Sequence, residues 1–195
     1  MASVVLSGDT SGTITISAPA VSGSNTQTLV ATTGTLAPIV SGTAVASTSG
    51  TSIDFTSIPS WVKRITVMFG NVSTSGTSIP LVQLGDSGGI ENTGYLSCGT
   101  YIANGSGTTV TSTAGFNLTG FHTAAYVFQG TLTISLLNST TNQWTAAGTF
   151  SVNSNGSTAW CAGAKTLSDV LTQVRITTVN GTDTFDAGSI NILYE

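Results

Sequence analysis

IDFTSIPSWVKRITVMF, residues 53–69, decides how the chain reads. Ile53 and Phe55 alternate with polar neighbours, the period of a half-buried strand. Pro59 has no backbone N–H for a sheet ladder and a fixed φ, so Ile58-Pro59-Ser60 reads as a turn. Beyond it, Ile65, Val67 and Phe69 share one face of a second strand, with Arg64, Thr66 and Met68 on the other. Trp61 falls at the corner, where a large amphipathic ring covers the end of a core. Lys63 and Arg64 make up half of the basic residues, but strand neighbours point to opposite faces and form no single patch.

The same alternation continues outward. From residue 51 onward the expected strands are 51–56, 62–69, 79–84, 94–103, 108–113, 126–137, 144–152, 157–163, 172–179 and 189–194. The clearest is GTLTISLL at 130–137, with Leu132, Ile134 and Leu136 facing in and Thr131, Thr133 and Ser135 facing out. In the closing strand Ile190, Ile192 and Tyr194 share a face. Residues 153–156 supply turn chemistry, and Asn180-Gly181 is a strong hairpin signal. A helical turn is expected only at KTLSDVL, residues 165–171, with Thr166 or Ser168 as its cap. Many short strands with turns between them predict an all-β chain, an antiparallel, jelly-roll-like β-sandwich head over residues 47–195.

Residues 1–46 read differently. Val4 and Leu6, then Ile14 and Ile16, suggest two short strands around a Gly8-Asp9 turn. From Pro19 to Gly50 the chain is Ser/Thr/Gly/Ala with little periodicity, the composition of a linker or an arm. The expectation is an extended N-terminal anchoring arm with short strands.

Composition limits the partners. Charged residues are 6% and hydrophobic residues 39%, so a real core carries a neutral, hydroxyl-rich surface. A net charge of −4 with four basic residues gives no footprint for nucleic acid or an anionic membrane. No apolar run approaches the roughly 18 residues of a membrane span, and MASVVLSGDTSG lacks the charged and apolar regions of a signal peptide. Weak surface charge gives little colloidal repulsion, which suits a tight homo-oligomer or a component of a larger particle. Cys98 and Cys161 show no metal or redox spacing and read as free thiols. The N-x-S/T matches at Asn71, Asn104, Asn117, Asn138, Asn155 and Asn180 follow from abundant Ser and Thr and are not read as glycan sites.

The most conspicuous motif is Gly85-Asp86-Ser87-Gly88-Gly89, the G-D-S-G-G of chymotrypsin-like nucleophiles, which also fits G-x-S-x-G. Nucleophilic catalysis needs a base for the serine proton and an acid to orient that base. His122, the only histidine, follows the serine, against chymotrypsin order, whereas Ser87, Glu91 and His122 fit the hydrolase order formally. That fold requires a helix after the serine, and residues 90–113 read as turns and strands, so the motif reads as a tight loop. A lone His122 beside Phe121 lacks companions for a metal. Trp61, Trp144, Trp160, Tyr95, Tyr101 and Tyr126 could stack on sugar rings where exposed, but their strand positions favour packing. Asp183 and Asp186 flank Phe185 without a cleft between them. No catalytic residue, metal or cofactor is therefore assigned.

Ile58-Pro59-x-Trp61-Val62-Lys63-Arg64-Ile65-Thr66-Val67, L-G-D-S-G-G at 84–89 and T-F-D-A-G-S-I-N-I-L-Y-E at 184–195 together resemble tailed-bacteriophage virion proteins. These are fibre, spike and capsid-decoration proteins with small β-rich heads. The opening VVLSGDTSGTITISAPAVSGSNTQTLVATTGTL, residues 4–36, is similar to their repetitive N-terminal segments. The resemblance implies a non-enzymatic structural protein on the virion surface, assembled in the host cytoplasm. It also implies a homotrimer, with capsid or tail proteins as partners. A receptor-binding tip for a host glycan or protein is the alternative, and a hydrolase centred on Ser87 a remote one. The chain's length suits a decoration or short fibre.

Overall fold

The structure is a computed structural model and describes residues 3–7, 12–17, 37–152 and 156–195. The chain divides into two compact units, Met1–Leu36 and Ala37–Glu195. In the first, β1 (Ser3–Ser7) and β2 (Thr13–Ser17) pair antiparallel, with Val4 opposite Ile16 and Leu6 opposite Ile14. The Gly8-Asp9 turn and the low-complexity run to residue 36 lie outside the described residues.

The second unit holds two antiparallel sheets. The larger is built on β6 (Arg64–Thr74), β9 (Tyr95–Ala103), β10 (Ser106–Ser112), β12 (Phe128–Asn138), β13 (Gln143–Val152), β14 (Ser157–Thr166) and β16 (Phe185–Tyr194). Its order is β10-β9-β14-β13-β12-β6-β16, and β3 (Val40–Ser41) and β4 (Val45–Ala46) both pair with β16. The smaller sheet contains β5 (Ile53–Phe55), β7 (Pro80–Asp86), β11 (Phe116–Asn117) and β15 (Gln173–Thr178), in the order β11-β7-β15-β5. Its short strand β8 (Gly89–Ile90) also pairs with β7. Pro80 is the first residue of β7, a position where its missing donor is tolerated.

Period-2 alternation determines what lies between the sheets. Ile65, Val67 and Phe69 of β6 join Leu132 and Ile134 of β12 in one core with Val82, Leu84, Val174 and Ile176 of the smaller sheet. Phe69 meets Phe150 edge-on at 5.5 Å, a favoured aromatic geometry. The chain is thus an all-β antiparallel sandwich. Trp61 caps one end, its ring tilted against Tyr194 at 5.9 Å. The corner at Pro59 closes through Val62 N–H donating to the Pro59 carbonyl (3.1 Å), so the turn spans residues 59–62.

Three expectations are corrected. KTLSDVL forms no helix: Lys165 and Thr166 end β14, and Leu167 and Leu171 are buried in an irregular link. Leucines four apart mimic a helical stripe, but Glu91 accepts from the Ser168 backbone N–H and Asp86 from its hydroxyl instead. Asn180-Gly181 does turn, with Gly181 N–H donating to Thr178 (2.9 Å), yet it carries the chain from the smaller sheet to the larger rather than closing a hairpin. The second unit starts at Ala37 rather than 47, because β3 and β4 add to the β16 edge and Ser47 Oγ donates to Ala187 (2.7 Å).

Candidate functional site

The G-D-S-G-G stretch is a two-residue hairpin between β7 and β8. Asp86 pairs with Gly89 and Gly85 with Ile90, leaving Ser87-Gly88 as the loop. The Asp86 carboxylate organises it, with Oδ1 accepting from Gly88 N (2.8 Å) and Oδ2 from Ser168 Oγ (2.6 Å). The Ser168 hydroxyl, and then Gly88 N–H, hold the Asp86 carboxyl below its ordinary range. Gln173 Nε2 donates to the Asp86 carbonyl (2.8 Å), tying the loop to β15.

Glu91 extends this network toward the larger sheet. One carboxylate oxygen accepts from Ser168 N (2.7 Å) and the other forms an ion pair with Lys165. Burial pushes the Glu91 carboxyl up, but the Lys165 ammonium and the Ser168 donors outweigh it and leave it lowered. Lys165 also donates to Thr93 O (2.9 Å) and stands 5.2 Å from the centre of the Tyr95 ring. The Tyr95 hydroxyl accepts from Leu84 N (2.7 Å) and donates to Glu91 O (2.9 Å), and burial raises its pKa.

The residues that fitted hydrolase order do not meet. Ser87 is exposed, and its Oγ points to Asp169 Oδ2 at 3.4 Å. Glu91 is engaged by Lys165 and Ser168. His122 is buried, with Nε2 at 2.8 Å from Thr74 Oγ1 and Nδ1 without a partner. Its ring packs 5.2 Å from Phe128, and burial lowers its pKa to about 4, against the opposing pull of Asp183 and Asp186. A serine facing a carboxylate lacks the imidazole that would take its proton.

Asp183 accepts from Ser78 N (2.9 Å) and Asn180 Nδ2 (2.7 Å), and Asp186 accepts from Ser73 Oγ. Among the described residues no group of three or more His, Cys, Asp or Glu is placed to hold a metal. Cys161 points inward and burial pushes its thiol up to about 12, whereas Cys98 is half-buried, and both are free. Of the aromatics weighed for stacking, Tyr95, Tyr101 and Trp144 are buried and Tyr126 half-buried. Trp61 and Trp160 are exposed at 37% and 43%.

The broadest feature is a surface. Strands β9, β10, β12, β13 and β14 contain one charged residue, Lys165, and it faces inward at 5% exposure. Their outer face is therefore uncharged, with Cys98, Ala162, Ala147 and Thr133 following one another across four strands. Trp160 stands on it between Thr100 and Thr149. β10, the outer strand of this sheet's path, is SGTTVTS and likewise uncharged. Sequence reasoning missed the inward Lys165, although STAWCAGAK carries the signal: Ser157, Ala159 and Cys161 are buried, and the same parity reaches Lys165.

Comparison with protein-family models, with curated proteins and with solved structures found no match to this chain.

Proposed function

We propose that this chain is a non-enzymatic structural protein of a tailed-phage virion, a projecting decoration or short-fibre subunit that assembles as a homo-oligomer, a trimer on resemblance. The observation that carries the reading is the uncharged outer face of β9, β10, β12, β13 and β14. A face and edge without charge invite association, and free monomers commonly protect such edges with lysine, proline or bulges. Closed symmetric packing covers such a surface. The stretches carrying the resemblance sit at distinct structural positions: the corner before β6, the β7–β8 hairpin and the closing strand β16. In the first unit Val5, Leu6 and Ile16 are exposed at 53%, 55% and 62%, apolar side chains suited to docking on a capsid or tail protein.

A receptor-binding tip is the second reading, favoured by Trp160. An exposed indole between two threonine hydroxyls offers a stacking platform and hydrogen bonds to a neutral sugar.

The test uses particles lacking the native protein, incubated with the full chain or with a chain beginning at Ala37. The full chain is expected to decorate the particles and the shorter one to stay in solution. Equal binding of both would move attachment into the second unit, and binding of neither would remove the virion role.

A further inference from the structure

The alternation of β14 sends Trp160 and Ala162 to the outer face of the larger sheet, while Cys161 between them is buried. Register carries the same parity across to β9 and β10. Trp160 stands beside Thr100, and Thr100 beside Thr109. One row along, Ala162 stands beside Cys98, and Cys98 beside Thr111. Two neighbouring rows of side chains therefore cross these strands, one holding an indole and the next only small groups.

The difference in size leaves a groove. An open concavity of about 650 Å³ has Cys98, Ala162 and Thr111 as its floor, with Leu96 and Thr113 along one side. None of its lining residues is charged. Trp160 stands outside it, two residues along β14 from Ala162, and is the bulkiest side chain on this face. A knob and a groove thus adjoin on one surface without filling one another in a single copy.

The groove selects a second copy of this chain as its occupant. A charged partner would bring into it a charge that nothing there can pair, whereas this chain's own outer face is equally uncharged. At ordinary strand spacing and rise the face of β9, β10, β12, β13 and β14 covers roughly 700 Å², close to the ~800 Å² that each partner contributes to a stable interface. A tryptophan seated in a desolvated pocket is a common anchor of such contacts, and the groove's threonine hydroxyls offer acceptors to its indole N–H. We infer that the Trp160 indole of one copy seats in the Leu96–Cys98–Ala162 groove of the next. The inference rests on the homo-oligomer of the proposed function and names the contact that builds it. Knob and groove are different patches, so the contact runs head to tail and a ring of copies closes it.

The test is native mass spectrometry of the full-length protein over a dilution series, with Trp160→Ala removing the knob and Ala162→Gln filling the groove without adding charge. Both positions are exposed, and a thermal melt matching wild type checks that each variant is folded. Each substitution should raise the concentration at which the oligomer dissociates by about thirtyfold or more, as loss of an anchoring side chain requires. Mixed where each alone is monomeric, the two variants should form a one-to-one complex. The Ala162→Gln copy still offers Trp160, and the Trp160→Ala copy still offers an open groove. Trp160→Ala that assembles as strongly as wild type overturns the inference and leaves the homo-oligomer standing. Monomers in the mixture also overturn it, since knob and groove then meet other surfaces. A wild-type protein that is itself monomeric overturns this contact and the homo-oligomer together.

Discussion

The ammonium of Lys165 and the carboxylate of Glu91 form an ion pair that bridges the two sheets, Lys165 from the end of β14 and Glu91 from the segment just after β8. Lys165 is 5% exposed, so its charge depends on this partner, on the Thr93 carbonyl and on the Tyr95 ring. Breaking a buried pair from one side costs more than the pair contributes, because the remaining charge is stranded.

Glu91→Gln should therefore lower stability by about 3 kcal/mol, while adding Lys165→Met should recover most of that loss. Urea denaturation of the three variants checks this. A Glu91→Gln protein within about 0.5 kcal/mol of wild type would mean that Lys165 is not stranded and the pair is no joint.

His122 sets the acid limit. Its folded pKa, about 4, lies below the ordinary 6.5, so the unfolded chain binds the proton first as pH falls. This contribution is complete above 6.5 and is lost progressively down to 4, by about 3 kcal/mol in total. The lowered Asp86, Glu91 and Asp183 carboxyls act further down, below their ordinary values of 3.8 and 4.5. Urea midpoints between pH 7 and 4 should fall for wild type and stay nearly flat for His122→Gln. Parallel profiles would remove His122 as the cause.

Ser87→Ala should change stability by less than about 0.5 kcal/mol, since the hydroxyl is exposed and its one contact, to Asp169, is long at 3.4 Å. The wild-type protein is expected to resist a serine-directed fluorophosphonate. Labelling that disappears in Ser87→Ala would revive the hydrolase reading.

Gly130 has φ +150°, at the register shift between β12 and β6, and a Cβ there would run into the Thr149 carbonyl oxygen. Gly130→Ala combines backbone strain with that clash and should cost about 2 kcal/mol or more. Thermal denaturation matching wild type would contradict the assigned geometry.

Much of the sandwich was legible because alternation is a local signal. Ile65, Val67, Phe69, Leu132, Ile134, Ile190 and Ile192 face inward as their spacing requires. What spacing does not encode is the partner. Asn180-Gly181 specifies a turn but not which sheet receives the next strand. Leu167 and Leu171 repeat at helical spacing, yet Asp86 and Glu91, more than 70 residues earlier, hold the intervening Ser168. The order Ser87, Glu91, His122 fits a catalytic sequence, but the fold gives each residue a different neighbour.

Native mass spectrometry of the full-length protein at micromolar concentration tests the central claim most directly. Under the proposed function the uncharged outer face of β9, β10, β12, β13 and β14 is covered in a closed homo-oligomer, and the resemblance makes that oligomer a trimer. Ala147→Glu, which places a charge on that face, should convert it to a folded monomer. A wild-type protein that is a stable, soluble monomer would contradict the account.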